Sequence, residues 1–275
     1  MKKQMVQERF MKVLTSAAAL ITMGILLFLA GFILVRGIPY LKPSLFSLHY
    51  DSENVSLMPA LLSTILMTLL SLVIAVPLGV FAAIYLSEYA RKGSRAVSII
   101  RVTAETLSGI PSILYGLFGM LFFVTQLHWG FSLLAGAFTV SIMILPLIMR
   151  TSEEALQAVP DLYREGSYGL GAGKLRTVFR IVLPSAIPGI FAGIILAIGR
   201  IVGETAALIY TAGTVAQIPS NPMMSARTLS VHMYALSSEG LHMNEGYATA
   251  VVLLVVVALI NTLSARIAKR IGGTA

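Results

Sequence analysis

The sequence predicts an all-α integral membrane protein: six transmembrane helices, N and C termini both cytoplasmic, and a cytoplasmic loop of two short helices between helices 4 and 5. Three observations predict it. The 275 residues are 57% hydrophobic and only 12% charged, with a mean hydropathy of +0.86, whereas a soluble domain keeps about a quarter of its residues charged. Six apolar segments come near or exceed the roughly 20 residues that a bilayer crossing needs. Lys and Arg are dense in one link and sparse in the next, the pattern by which positive charge retained in the cytoplasm orients successive spans.

The first span, near 13–35, follows the basic stretch MKKQMVQERFMK. That stretch could open a secretion signal, but the apolar run behind it exceeds the about 7–15 residues of such a segment. It reads as an uncleaved span. The second, near 58–86, carries Thr64, Thr68 and Ser71 on one face, and the third, near 104–126, carries Ser108, Ser112 and Tyr115 on one face. The fourth, near 131–149, closes on Arg150 at its cytoplasmic end. The fifth, near 186–212, places Arg200 about midway and has Gly189 with Gly193, and Gly199 with Gly203, at a spacing that permits close helix contact. The sixth lies near 247–265, and the whole of 1–275 reads as one transmembrane domain.

Charge sets the orientation. Lys2, Lys3, Arg9 and Lys12 precede the first span; Arg91, Lys92, Arg95 and Arg101 follow the second; Arg164, Lys174, Arg176 and Arg180 follow the fourth; Arg266, Lys269 and Arg270 follow the sixth. The alternate links hold Arg36, Lys42 and Arg227. The excess marks the first set as cytoplasmic. The chain has no cysteine, so disulfides and thiolate metal sites are excluded. His49, His128, His232 and His242 fall at loops or span edges without ligand spacing and receive no role.

The link 151–185 contains Gly171-Ala-Gly-Lys174. A phosphate-cradling loop needs glycine six places before the lysine and Ser or Thr after it. Tyr168 and Leu175 stand there, so no nucleotide site is read. Pro160 suits a helix start, and Gly169, Gly171 and Gly173 break that helix. Leu175, Val178, Phe179 and Val182 then form an apolar stripe opposite Arg176 and Arg180. Pro184 is expected to end this second helix. On shape alone the pair is either a connector lying in the headgroups or a docking surface.

The residues add to this. Glu165-Gly166-Ser167, three residues, Gly171, nine residues, then Ile181, Val182, Leu183 and Pro184 resembles the EAA loop of ABC importer permeases, with Gly and Ser in place of two alanines. GIPSILYGLFG (109–119), MRTSEEALQAVP (149–160) and AIGRIVGETAALIYTAG (197–213) are similar to the PstA-type permease subunit of phosphate ABC importers. The resemblance implies an inner-membrane permease that imports inorganic phosphate by alternating access. It implies a sister permease, an ATP-binding subunit dimer and an extracytoplasmic phosphate-binding protein as partners. ATP and Mg would be bound by those ATPase subunits and no cofactor by this chain. Glu165, Gly166, Ser167, Gly171, Ile181, Leu183 and Pro184 would form the coupling helix that enters a groove on the ATPase.

Charges inside spans supply candidate path residues. Arg200 at mid-membrane costs about 2.5–3.5 kcal/mol on insertion scales, so it should face protein or water. Glu204, four residues on, is expected on the same helix face as its partner. Whether that pair is structural or conducts anions is open, as is whether Arg150 snorkels to the headgroups or lies on the path. The Ser and Thr faces serve either close packing or, as with Ser112, hydrogen bonding to an oxyanion. An importer of sulfate, molybdate or an organic solute is the alternative reading. An intramembrane enzyme would need a nucleophile or a paired acid and base, for which only Glu105 and Glu204 are available.

Overall fold

The computed structural model describes residues 2–91 and 93–272; Lys92 and the side chains of Lys2, Lys3, Lys269 and Arg270 lie outside what is described. Among the described residues all regular structure is helical. Five helical stretches are long and apolar enough to cross a membrane: Gln7–Tyr40, Met58–Tyr89, Leu133–Gln157, Lys174–Val202 and Met243–Leu263. A bent pair, Arg95–Ser108 with Ser112–Gln126, makes the sixth if it counts as one span.

The centre is built from α2 (Met58–Ile84) and α5 (Leu133–Gln157). Their apolar seam joins Met67 and Ala75 to Val140, Met143, Ile144 and Ile148, and α8 (Leu183–Val202) adds Ala197 and Ile201. In lipid such contacts hold by close packing and interhelical hydrogen bonds, since removal from water gives no further gain. The hydroxyl face of α2 is used this way. The Ser71 hydroxyl donates to Ala137 O at 3.4 Å, and Thr64 Oγ1 accepts the Leu229 N–H at 2.8 Å. α5 runs past the predicted end at 149, because TSEEALQ is made of helix-compatible residues and Pro160 is the first to forbid continuation.

The stretch expected as one helix over 104–126 is divided. α3 (Arg95–Ser108) stops at Gly109, and α4 (Ser112–Gly119, running on as a π-turn through Gln126) leaves at 98° to it. Pro111 disfavours the helical conformation at Ile110, and Gly109 is the weakest residue at which to resist the break. The Tyr115 hydroxyl donates to Leu107 O at 2.8 Å across the bend, satisfying one carbonyl that the break releases.

The 151–185 link folds as α6 (Asp161–Gly169) and α7 (Lys174–Thr177). The expectation that Pro184 ends the second helix fails. A π-turn, Val178–Val182, carries α7 without interruption into α8, and the Leu183 N–H reaches Val178 O, five residues back. The wider turn loosens the ladder where a proline lacks its N–H and crowds the preceding turn. At the other end, the expectation of a helix through 212 also fails: α8 stops at Val202, and α9 (Ala206–Ile209) begins after a break at Gly203–Thr205.

Two helices complete the chain. α10 (Leu229–Glu239) covers one end of the bundle with Leu229, Val231, His232 and Leu236 buried, in a link whose sequence lacks apolar periodicity. α11 (Met243–Gly272) packs against α1 (Lys2–Gly37), where Phe32 meets Tyr247 edge to face at 6.0 Å. Gly37 lets the two backbones approach, since a Cβ there would strike Tyr247 O.

Candidate functional site

Two regions concentrate the residues that the sequence singles out. The first is the helix–turn–helix at 161–182. Asp161 in the first turn of α6 suits the positive end of that helix. Glu165 and Gly166 are exposed, whereas Ser167 is buried and its hydroxyl meets that of Thr177 at 2.8 Å, tying α6 to α7. Between them Gly171 takes φ +81, with its N–H on Tyr168 O at 2.9 Å and open space where a Cβ would stand. The turn therefore needs glycine for its backbone conformation and not for lack of room.

Only half of the apolar stripe turns inward. Val178 and Val182 are buried with Leu156, Val159 and Ala186, while Leu175 and Phe179 are exposed. Leu162, Tyr163 and Leu170 are exposed too, and Leu170 at the tip is 92% accessible. Apolar side chains set out on a polar loop mark a contact surface. Ile181 and Leu183 are half-buried and Pro184 is exposed as the chain enters α8.

What holds this loop to the bundle is a residue that sequence reasoning counted only as a loop charge. Arg164, 14% exposed, reaches Glu88, 5% exposed, at 2.7 Å. Glu88 lies in the π-turn Tyr85–Tyr89 that closes α2. The same guanidinium donates to Leu156 O at 2.9 Å, Val159 O at 2.7 Å and Asp161 Oδ1 at 3.2 Å. The hydrogen bond that Arg164 donates to Glu88 raises the Arg164 pKa above its ordinary value, against the opposing effect of burial. The one available signal was a lone acidic residue, Glu88, between an apolar run and a basic link.

The second region is the candidate anion path, and the structure spreads its residues out. Arg200 is half-buried in the last turn of α8, not midway along a span, because the helix ends two residues later. The Arg200–Glu204 pair does not form. Glu204 lies beyond the helix, and its carboxylate accepts the Ala207 N–H at 3.0 Å to cap α9, while its carbonyl accepts the Ser230 hydroxyl at 2.5 Å. A capped N–H at a buried helix start satisfies that carboxylate without a cation. Arg200 itself makes no ion pair among the described residues.

Arg150 is exposed and pairs with Glu154 at 3.1 Å and Glu105 at 3.8 Å. Together with Arg101, Ser108 and Glu153 these side chains line a pocket of about 270 Å³ between α3 and α5. Arg101 bonds Glu153 at 2.5 Å there, a second pair missed by sequence reasoning. Ser112 starts α4 beyond the bend and is half-buried, away from that pocket's lining. Of the fifth span's glycines, Gly189 and Gly193 form a seam, since a Cβ would meet Ala155 at 2.6 Å and Thr151 respectively; Gly199 has open space. Among the described residues no cluster of three or more His, Asp or Glu side chains could hold a metal ion.

His232 is a buried histidine beside a cation. It is fully buried in α10, its Nδ1 lies 3.4 Å from Arg227, and Tyr50 stands edge-on at 6.0 Å. Arg227 in turn lies over the Tyr50 ring at 5.6 Å and donates to Thr214 O at 2.7 Å. Burial, reinforced by the Arg227 charge, lowers the His232 pKa to about 4.

Comparison with known proteins places this geometry. Residues 75–272 match the family described as binding-protein-dependent transport system inner membrane component. The chain is 36% identical over 211 residues to the phosphate transport system permease protein PstA 1 of Mycobacterium tuberculosis H37Rv, covering 76% of this chain and 68% of that protein. It is 38% identical over 178 residues to the probable ABC transporter permease protein YqgI of Bacillus subtilis 168, covering 60% of each. The phosphate transport system permease protein PstA 2 of Mycobacterium bovis is also 38% identical, over 65% of this chain and 58% of that one. The chain thus spans about 60% of the length of YqgI and of PstA 2, and 68% of that of PstA 1. Among solved structures, a bacterial alginate ABC transporter in complex with an alginate-pentasaccharide-bound periplasmic protein superposes with a TM-score of 0.68 at 16% identity, over 93% of this chain and 94% of that one. The inward-facing MetNI methionine ABC transporter gives 0.59 at 22% identity, over 78% and 93%. At such identities the likeness is one of fold.

Proposed function

Because this chain belongs to the family of binding-protein-dependent transport system inner membrane components, and is a multi-pass inner-membrane protein, we propose that it is the permease subunit of an ATP-driven importer of inorganic phosphate. The observation that carries the coupling half of this reading is the exposed helix–turn–helix at 161–182. Its apolar tip faces away from the bundle while its root is buried, a form suited to insertion into a partner. Support for phosphate as cargo comes from the relatives named as phosphate permeases.

On this reading the chain performs no hydrolysis. ATP and Mg bind to a separate ATPase dimer, whose closure pushes on Glu165, Gly166, Gly171 and the exposed apolar tip. The chain pairs with a sister permease, and a phosphate-binding protein delivers the anion from outside. Both termini lie in the cytoplasm. Arg200, which makes no ion pair among the described residues, supplies positive charge to the passing oxyanion, Ser112 offers a hydroxyl at the α3–α4 bend, and Arg150 lies toward the cytoplasmic exit. Glu204 acts in this path by holding the break between α8 and α9 in shape.

The test is uptake by the complete complex in proteoliposomes loaded with ATP, comparing phosphate, sulfate and molybdate. Phosphate uptake that exceeds the other two supports the reading. Preferred uptake of sulfate or molybdate replaces the cargo but leaves the coupling intact.

A further inference from the structure

We propose that Arg164 is the positioning residue that makes the docking helices move as one body with α2 and α5, so that force applied at the loop reaches the core of the bundle. This rests on the reading that residues 161–182 dock on an ATPase. The argument begins with what one guanidinium touches. Its fork meets both carboxylate oxygens of Glu88, at 2.7 and 3.3 Å, and thereby the end of α2. It also takes the Leu156 and Val159 carbonyls, which lie at and just past the end of α5, where the backbone leaves acceptors without helical partners and the helix dipole favours a cation. Its own backbone belongs to α6. Three elements therefore converge on a single planar group, a geometry that lysine's point charge does not reproduce.

Two further contacts make the attachment stiff. Lys174, which opens α7, lies over the ring of Tyr89 at 5.0 Å, one residue beyond Glu88. Ser167 and Thr177, both buried, join α6 to α7 by their hydroxyls. The helix pair is thus pinned at its root on both limbs, and only the tip around Gly171 stands in open space. Because α2 and α5 form the central seam of the bundle, a displacement of the tip is passed to the two helices that carry the core.

The experiment uses the full complex with its sister permease and ATPase, reconstituted and supplied with inorganic phosphate. Three quantities are read: co-purification of the ATPase, ATP hydrolysis, and phosphate taken up per ATP hydrolysed. Arg164→Gln and the double variant Arg164→Gln with Glu88→Gln, which leaves no lone buried carboxylate, are both expected to retain the ATPase and hydrolyse ATP. Phosphate moved per ATP is expected to fall by about tenfold, within the range of coupling between sites. Arg164→Lys should recover part of that ratio. An unchanged ratio in both Gln variants overturns the proposal. So does loss of the ATPase from these variants, or a parallel fall of hydrolysis and uptake, either of which makes Arg164 a folding residue. If the unaltered chain itself fails to retain the ATPase, the docking reading falls first and the proposal with it.

Discussion

Arg164 lies in α6 at the root of the 161–182 loop and Arg200 in the last turn of α8, and the fold treats them in opposite ways. Arg164 is saturated: a buried carboxylate, two carbonyls and Asp161 all accept from it. Arg200 is half-buried with no ion pair among the described residues. A guanidinium whose donors are all engaged near the protein interior fixes structure, since breaking such a pair leaves an uncompensated charge. One left without a partner in a membrane helix is available to a passing anion. The root of the 161–182 loop is therefore held rigidly, and on the proposed reading the far end of α8 offers its charge to the passing anion.

The largest effect that could break this contrast is Gly171→Pro. Proline holds φ near −65°, and the native value is +81; the substitution also removes the N–H that reaches Tyr168 O. A cost of about 3 kcal/mol at the docking tip should reduce phosphate uptake by about a hundredfold while all spans still insert. Uptake at the unmodified rate would mean that force does not pass through the turn.

Acid should act at the other end. His232 has its pKa lowered from 6.5 to about 4, so the folded state keeps it neutral while the unfolded chain takes up a proton below 6.5. Stability from this group is complete above about pH 6.5 and is lost as pH falls toward 4, by about 3 kcal/mol in all. Thermal melts of the purified protein across that window measure it. His232→Leu should flatten the dependence, and an unchanged slope would assign the pH sensitivity to other groups.

Arg200→Gln sharpens the contrast directly. Loss of a charge used only for the anion should cut uptake by about tenfold or more with ATPase retention unchanged, and Arg200→Lys should sit between. Because Glu204 caps α9 and does not pair with Arg200, Glu204→Gln keeps the acceptor and should neither worsen nor rescue Arg200→Gln. Rescue by the double variant would show that the two side chains pair in the working complex after all. Orientation enters here as well: a single cysteine at exposed Asn221 should react with an impermeant thiol reagent added outside, and one at Lys174 should not.

The smallest effect is expected at Arg150. Its partners Glu154 and Glu105 are all mostly exposed, and such pairs contribute roughly 0–1 kcal/mol. Glu154→Gln should leave stability within that range, read by the same melts.

Several features were legible from residues alone, each for a local reason. The apolar runs give the helices, the α6–turn–α7 shape follows from three glycines and a 3.6-residue stripe, and Gly171 is where the turn needs a left-handed residue. Local rules fail where packing overrides them. Proline chemistry makes Pro184 a stop, yet a π-turn absorbs it. Spacing puts Glu204 on the face of Arg200, yet the helix ends at Val202. α10 carries no periodic signal because its buried face is set by what it covers.

The sequence by itself determined that this chain lives in lipid, how many crossings it can make, and which link folds as a helix–turn–helix, because hydropathy, charge asymmetry and turn chemistry act over a few residues at a time. Only the tertiary structure decided which charges meet. Glu88 and Arg164 are separated by 76 positions, whereas Arg200 and Glu204 are four apart and stay apart. Where lipid or protein shields them from water, polar groups take the partners that packing brings within reach, and no spacing rule along the chain contains that information.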